Sequence, residues 1–324
     1  KGKTLALQIH AFAQIAIMGE NRMHRILVPP IKCQGIKTKI VPLILANITT
    51  PEHGLWIEPF MGSGVVGMNA RPPRALFADI NPHIIAFYCA IKSKEITPDS
   101  ARAFLEHEGQ LLRERGEEHY YTVRKRFNNS GNPFDFLFLS RSCFNGMIRF
   151  NKKGKFNVPF CRKPERFSSA YVTKIVNQIA RFSELIRFHD WMFRCQGFEE
   201  TIACASQNDF IYCDPPYLGR HVDYFNSWCS GDEERLFYCL SKTKARFILS
   251  TWHSNRYRKN EYLDLFWSRF HVITKEHFYH VGAKEENRNS MLEALVMNFN
   301  PGCKAIVENV TPQLCLFDYI AESR

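Results

Sequence analysis

Short apolar runs that stop abruptly at turn-forming residues most constrain the fold of this chain. Four such runs occupy residues 55–60, 74–80, 209–214 and 246–252, and each is bounded by glycine, proline or polar residues. Helical patterns follow at 82–92 and 232–244. Buried strands that alternate with helices are typical of a parallel sheet covered on both faces. The sequence therefore predicts an α/β fold.

The chain between these apolar runs has a different pattern. Residues 99–205 show mostly helical periodicity, so we interpret them as an insertion between two halves of one α/β domain, 1–98 and 206–324. Near the end, HVITKEHFYHVG and MLEALVMNF alternate in the manner of strands, and they predict a hairpin.

Charge and composition narrow the class of partner and the compartment. The 324 residues carry 43 basic against 32 acidic side chains, a net charge of +11, which favours nucleic acid over an anionic membrane surface. The N-terminal apolar stretch contains Gln8, His10 and Gln14, which favours an ordinary helix over a signal peptide, and no other stretch is long enough to span a bilayer. The 11 cysteines lack C-x-x-C spacing, so we expect reduced core thiols in a cytoplasmic protein and no zinc site.

A glycine-rich loop follows the first apolar run. Gly62, Gly64 and Gly67 form a G-x-G-x-x-G pattern, and Asp79 ends the next run. Glycines let the backbone approach a cofactor, and the acid accepts hydrogen bonds from ribose hydroxyls. The pattern leaves open a nicotinamide dinucleotide, S-adenosylmethionine, or a turn that only packs a helix on a strand. Glu58 favours S-adenosylmethionine, because a carboxylate would suit its cationic amino group.

The third run ends in the sequence CDPPY, residues 213–217. Prolines stop a strand because they donate no backbone hydrogen bond and fix φ. A rigid carboxylate and backbone carbonyl could accept both hydrogens of an exocyclic amino group and align its nitrogen with a methyl donor. Tyr217 could stack on a base taken out of the duplex. Alternatively, Asp214 only caps a turn.

Five blocks of sequence resemble the DNA adenine-N6 methyltransferases of the Dam type, the alpha group of the D12 class. The blocks are PPIKCQGIKTK (29–39), IEPFMGSG, ADIN, LSRSCFNGMIRFNKKGKFNVPF (139–160) and CDPPY. The resemblance implies a Rossmann-like, S-adenosylmethionine-dependent methyltransferase sheet whose insertion, 99–205, is the target-recognition domain. Cys33, Ile36 and Ser140 depart from the family pattern, which puts the packing of the cofactor near Cys33 in doubt.

The resemblance also implies a role for individual residues. Lys37 would contact the carboxylate or backbone of the methionine part, Asp79 would hold the ribose, and Ile80 would lie against the adenine ring. The other implied cofactor residues are Glu58, Pro59, Phe60, Gly62, Ser63, Gly64 and Asn81. The target adenine would be held by the catalytic residues Asp214, Pro215, Pro216 and Tyr217.

A basic segment that contains aromatic residues precedes CDPPY. Seven lysines and arginines lie between 149 and 166, a number that suits neutralisation of phosphates, although a solvated surface loop would also account for it. Phe144 and Asn145 are an aromatic and an amide suited to base flipping. By the resemblance, Arg149 would contact a guanine and Lys32 a base or phosphate. The implied DNA contacts are Lys32, Arg141, Phe144, Asn145, Met147, Arg149, Lys152, Lys155, Asn157 and Pro159.

Together these features predict methyl transfer from S-adenosylmethionine to adenine N6 in duplex DNA, by base flipping and without a metal. A restriction–modification system, with a separately acting endonuclease as partner, fits this prediction. Three alternatives stay open: cytosine-N4 methylation, a nicotinamide oxidoreductase that uses the glycine loop, and an inactive DNA-binding protein with a methylase fold. His253 follows a strand and could line the site or be structural, and His221 and Asp223 receive no role.

Overall fold

The fold is built on one twisted sheet. The computed structural model describes residues 26–33, 35, 37–218, 228–278 and 290–301. In these ranges seven strands pair in the order β3–β2–β1–β4–β5–β7–β6. Their bounds are β1 Trp56–Glu58, β2 Arg74–Asp79, β3 Asp190–Cys195, β4 Phe210–Cys213, β5 Arg246–Asn255, β6 His271–Phe278 and β7 Ser290–Met297.

Helices connect these strands and fill the long segment between β2 and β3. Several begin with proline in the first turn, where the missing backbone N–H costs nothing. The helices are α1 Val41–Ala46, α2 Val65–Ala70, α3 Pro82–Lys92, α4 Pro98–Arg115, α5 Glu117–Ser130, α6 Pro133–Ser142, α7 Ser169–Phe188, α8 Phe198–Ala203 and α9 Ser230–Lys242.

The strand pairing confirms the α/β fold that the apolar runs predicted. β1 pairs in parallel with β2 and β4, β2 with β3, and β4 with β5. The predicted hairpin near the end is also present, because β6 and β7 pair antiparallel, and β7 adds antiparallel to β5. The result is the Rossmann-like sheet expected of a methyltransferase.

Two hydrophobic cores lie on opposite faces of the sheet. Successive strand residues point to opposite faces, so Trp56 and Phe77 join one core while Ile57 and Leu76 join the other. The larger core is continuous from the sheet through α3 to α7 and on to Phe150 and other residues before α7. The segment between β2 and β3 is therefore packed on the sheet through a shared core.

The predicted boundary of the insertion was wrong at its C-terminal end. We placed residues 99–205 in the insertion, but 190–195 pair with β2 over their whole length and form the edge strand β3. The helices α4 to α7 end at Phe188. The role of this segment in target recognition stays a prediction.

Cysteine burial differs from the expectation of core thiols. The nine described cysteines are all unpaired. Cys143 and Cys213 are buried, as expected, but the expectation was wrong for those exposed to solvent, which are Cys89, Cys195, Cys204 and Cys229. Within the described ranges, no helix combines the length and the apolar character needed to cross a membrane. The predicted N-terminal helix lies outside the described residues.

Candidate active site

The predicted site residues meet at the edge of the sheet where the parallel strands end. The glycine loop follows β1, Asp79 ends β2, and Asp214 follows β4. β1 lies between β2 and β4, so the connections from these strands diverge at this point of the sheet. A switch point of this kind is where open α/β sheets bind their ligands.

Asp79 fixes the glycine loop to β2. Gly62 and Gly64 adopt φ of 50° and 70°, a region that favours glycine. The Gly62 N–H donates to one oxygen of the Asp79 carboxylate at 2.8 Å, and the Asn81 N–H donates to the other at 2.9 Å. Burial raises the pKa of Asp79, and these two hydrogen bonds oppose the rise. The carboxylate thus orders the loop that it borders.

The remaining predicted cofactor residues differ in exposure. Phe60 stacks on Phe198 at 5.4 Å between ring centroids, and Ser63 is buried with its carbonyl accepting from the Tyr88 hydroxyl at 2.5 Å. Pro59 is buried at the start of the loop. Ile80, by contrast, is 48% exposed beyond β2, so its side chain is accessible to a ligand ring.

Glu58 differs from the prediction, because it lies beneath the glycine loop. Its side chain is 2% exposed and accepts a hydrogen bond from the Trp56 indole at 2.8 Å, and the backbone of Gly67 donates to it as well. Burial raises the pKa of Glu58 to about 8, so the group is mostly neutral at pH 7. Glu58 therefore braces the loop and is not placed to pair with a cationic amino group.

Asn81 also has a structural task in this arrangement. It is 5% exposed and caps the N-terminus of α3, where its side chain accepts from the His83 N–H at 3.0 Å. A helix cap of this kind satisfies a backbone donor that has no partner within the helix. The cofactor contact of Asn81 stays a prediction.

Lys37 and Asp214 form an ion pair at the centre of the site. Lys37 Nζ lies 2.9 Å from Asp214 Oδ1 and 4.7 Å from the centroid of the Tyr217 ring. The lysine is almost fully buried, at 4% exposed, whereas the Asp214 side chain is 22% exposed. Pro215 is buried and Pro216 half-buried behind the carboxylate. The pair joins the N-terminal segment that precedes α1 to the end of β4.

Glu293, on β7, is a site residue that the sequence did not reveal. Its carboxylate accepts a hydrogen bond from the Tyr217 hydroxyl at 2.6 Å, and its side chain is 2% exposed. The one available signal was an acid inside the otherwise apolar run MLEALVM. An acid that is buried in a strand requires a polar partner, so this pattern could have indicated it.

The Asp214 carboxyl has a perturbed proton affinity. Its pKa is raised to about 6: burial is the main cause of the rise, the positive charge of Lys37 opposes it, and the negative charge of Glu293 adds to it. The carboxyl is therefore mostly ionised at pH 7 and loses its charge a little below that.

The basic segment forms a hairpin that begins directly after α6. Isolated antiparallel bridges join Cys143 to Phe160 and Phe150 to Phe156, and the exposed tip carries Lys152 and other residues of 151–155. The aromatic side chains at 150, 156 and 160 are buried. This hairpin, residues 143–160, is therefore fixed to the protein by its buried aromatic side chains and exposes its basic tip to solvent.

Predicted DNA contacts lie along this hairpin. Phe144 is 49% exposed and Asn145 is exposed with a φ of 54°, while Arg149 Nε donates to Asn157 Oδ1 at 2.9 Å. Pro159 is exposed and its carbonyl accepts from the Phe144 N–H at 2.8 Å. Three more of the predicted DNA-contacting residues lie close by. Lys155 donates to the Asn128 carbonyl, Met147 is half-buried, and the aliphatic part of the Lys32 side chain packs on the backbone of Gly146.

Arg141 is a correction to the predicted DNA contacts. It is 2% exposed, with its guanidinium donating to the carbonyls of Pro29 and Pro30, the latter at 2.7 Å from Nε, and to Gln178 at 2.6 Å. These partners hold the side chain in the interior, so it cannot reach DNA. Arg141 instead ties the N-terminal segment to α6 and α7.

His253 is half-buried near the end of β5 and pairs with the Ser254 hydroxyl at 2.9 Å. His221 and Asp223 lie outside the described residues. In the part of the chain that the structure describes, no group of three or more histidine, cysteine or acidic side chains is arranged to hold a metal.

Comparisons with known proteins find relatives that match most of this chain. A model of the D12 class N6 adenine-specific DNA methyltransferases matches residues 34–281. A DNA adenine methylase of Haemophilus influenzae is 34% identical over 251 residues, which cover 72% of this chain and 82% of that protein. These matches confirm the resemblance that the five sequence blocks predicted.

Two further relatives are matched over less of their length. The Type II methyltransferase M.FokI of Planomicrobium okeanokoites is 28% identical over 297 residues, 87% of this chain but 44% of that protein. A DNA adenine methylase of Vibrio cholerae is 34% identical over 193 residues, 58% of this chain and 64% of that protein. The chain thus spans less than two thirds of either relative.

Gly67→Ala should destabilise the protein, because an added Cβ would lie 2.4 Å from the Phe77 ring and 2.7 Å from Glu58 Oε1. We expect a loss of about 1–3 kcal/mol in the free energy of unfolding, measured by denaturant titration. Gly197→Ala is the matched control, since its Cβ would meet nothing within 4 Å. Equal stability of the two variants would contradict the tight packing below the loop.

A reaction that needs ionised Asp214 should slow as the pH drops through about 6, because the protonated carboxyl loses its negative charge and becomes a weaker hydrogen-bond acceptor. Single-turnover rates between pH 5 and 8, at saturating cofactor and DNA, measure this dependence. A rate that stays constant across that range would show that ionised Asp214 is not required.

Proposed function

This chain belongs to the D12 class of N6 adenine-specific DNA methyltransferases, and from that premise we propose that it transfers a methyl group from S-adenosylmethionine to adenine N6 in duplex DNA. The observation that carries the proposal is the meeting of Lys37, Asp79 and Asp214 at one edge of the sheet. One side of this edge suits an adenosyl cofactor and the other suits an exocyclic amino group.

The residues present fit the cofactor. A Cβ at Gly62 would meet nothing within 4 Å, so the loop borders open space that a ligand can enter. Asp79 would accept hydrogen bonds from ribose hydroxyls, Ile80 offers an exposed apolar surface for the adenine ring, and Lys37 offers a cation for the methionine carboxylate. When bound, S-adenosylmethionine supplies an electrophilic methyl group on a sulfonium that is already a good leaving group.

The chain's own residues orient the nucleophile. The adenine amino nitrogen is a poor nucleophile because its lone pair is delocalised into the ring. Asp214 accepts a hydrogen bond from one amino N–H and a backbone carbonyl beside Pro215 accepts one from the other, which aligns the nitrogen with the methyl group. As the nitrogen gains the methyl group it loses one of these protons, for which the Asp214 carboxylate is an acceptor. The prolines hold both acceptors in place, and the Tyr217 ring stacks on the extruded base.

The hairpin 143–160 serves as the DNA-reading element in this proposal. Exposed Lys152 and Lys155 contact phosphates, which gives affinity that is independent of sequence. Arg149 reads a guanine in the major groove, held in position by Asn157. Phe144 and Asn145 at the base of the hairpin occupy the space that a flipped adenine leaves.

We also propose that the enzyme acts in the cytoplasm as the modification half of a restriction–modification system, beside a separately acting endonuclease. The support is the similarity to M.FokI, whose name is that of a type II methyltransferase. Genomic DNA of cells that express the chain would then be protected at the sites that the enzyme methylates.

Incubation with tritiated S-adenosylmethionine and mixed-sequence duplex DNA tests the proposed function, because label should appear in N6-methyladenine. Asp214→Ala should lower the rate by about 10²–10³-fold, since it removes a preorganised acceptor, while cofactor binding by calorimetry is not weakened. Asp190→Ala removes a carboxylate that is 65% exposed on the edge strand β3, and it serves as the control. Label in N4-methylcytosine, or full activity of Asp214→Ala, would contradict the proposal.

Two substitutions in the hairpin should separate sequence reading from phosphate binding. Lys152→Ala should weaken binding to all duplexes and reduce the salt dependence of log K by about 1, whereas Arg149→Ala should relax the preference for one base pair. Salt titrations with specific and scrambled duplexes measure both effects. Lys244→Ala is the control, since this exposed lysine lies just before the amino end of β5, on the far edge of the sheet. The same loss from Lys152→Ala and Lys244→Ala would argue against the hairpin as the DNA contact.

A further inference from the structure

We propose that Glu293 is a positioning residue for methyl transfer, which fixes the Tyr217 ring in the target-base site through the Tyr217 hydroxyl. The inference rests on the function proposed above and deepens it. It gives the C-terminal strand β7 a direct part in holding the target base.

The geometry of the contact is that of a strong hydrogen bond. The Tyr217 hydroxyl donates to Glu293 Oε2 at 2.6 Å, and the two side chains are 9% and 2% exposed. Hydrogen bonds to a charged acceptor are shorter and stronger than neutral ones, and exclusion of water strengthens them. The ring is therefore restrained at its outer end as well as at its backbone.

An acid at position 293 does not serve the packing of the core. Residues 294–297 of the same strand are apolar and buried, so an apolar side chain would suit the position better. A buried carboxylate costs free energy unless polar partners compensate it. Its placement against Tyr217, the last residue of the CDPPY block, indicates a role in the site.

Glu293 is joined to the catalytic carboxylate through Tyr217 and Lys37. Lys37 Nζ lies 4.7 Å from the Tyr217 ring centroid and 2.9 Å from Asp214 Oδ1. The ring is thus held by Glu293 at its hydroxyl and by the ammonium group at its face. A stacking surface fixed in this way before DNA arrives lowers the entropy cost of placing the base.

A double-mutant cycle tests the inference, because it asks whether Glu293 acts through Tyr217. Glu293→Ala and Tyr217→Phe should each lower kcat by about tenfold, the scale of a lost hydrogen bond to a charged group. The double variant should lose no more than either single one, since the same contact is removed. The affinity for S-adenosylmethionine should be unchanged in all three.

Extrusion of the target base can be measured directly, and a purely structural role of Glu293 would not change it. With 2-aminopurine in place of the target adenine, the fluorescence of the bound complex should change equally in Glu293→Ala and Tyr217→Phe. Glu276→Ala, which removes an exposed carboxylate from the neighbouring strand β6, should leave kcat and fluorescence as in the wild type.

Glu293→Gln keeps the inference testable if the alanine variant does not fold. Glutamine retains an acceptor for the Tyr217 hydroxyl, so kcat at pH 8 should stay near the wild-type value. The acid limb of the pH–rate profile should move to lower pH, because one negative charge near Asp214 is removed. The charged groups that shift the pKa of Asp214 are Lys37 and Glu293, and the charge of Asp214 in turn raises the pKa of the nearby Glu58, Tyr212 and Cys213.

The outcomes separate this inference from the proposed function. A wild-type enzyme that labels no adenine contradicts the proposed function. An active wild type with additive losses in the double variant, or with a Glu293→Gln profile that does not move, overturns the role of Glu293 alone. Non-additive losses together with a shifted acid limb support it.

Discussion

The ion pair between Lys37 and Asp214 is the contact on which the arrangement of the site depends. It joins a segment before the first strand to the end of β4, with a distance of 2.9 Å between the charged atoms. Burial raises the pKa of Asp214 and Lys37 lowers it, so without the lysine the pKa would lie above its value of about 6. The pair therefore keeps the acceptor of the proposed reaction ionised inside a partly dehydrated site.

Other contacts fix the segments around this ion pair. Arg141 anchors the N-terminal segment through the carbonyls of Pro29 and Pro30, and Lys32 packs on Gly146 at the start of the hairpin. The glycine loop is fixed in turn by Asp79 and braced from below by Glu58. The N-terminal segment thus contacts both the proposed DNA-reading hairpin, through Lys32, and the end of β4, through Lys37.

Local patterns in the sequence predicted the sheet, the glycine loop and the proposed catalytic block. These features depend on residues that are neighbours in the sequence, such as an apolar run and the turn residues that end it. β3 was missed because its sequence, DWMFRC, shows neither an apolar run nor a clear alternation of apolar and polar residues. It is an edge strand, and most of its residues are exposed or only half-buried. Arg141 was misjudged because its partners, Pro29, Pro30 and Gln178, lie far from it in the sequence. Glu58 was misjudged because its burial against Gly67 depends on how the glycine loop and the next helix fold over β1. Glu293 was missed for the same reason as Arg141, since its contact with Tyr217 bridges 76 positions of the chain.

A structure with duplex DNA and a non-reactive cofactor analogue such as sinefungin tests the central claim most directly. The account predicts an adenine rotated out of the helix, its N6 within about 3 Å of the Asp214 carboxylate, its ring stacked on Tyr217, and the analogue between the glycine loop and Asp79. A base that stays stacked in the duplex, or one that sits away from Asp214 while the analogue occupies the glycine loop, would contradict it.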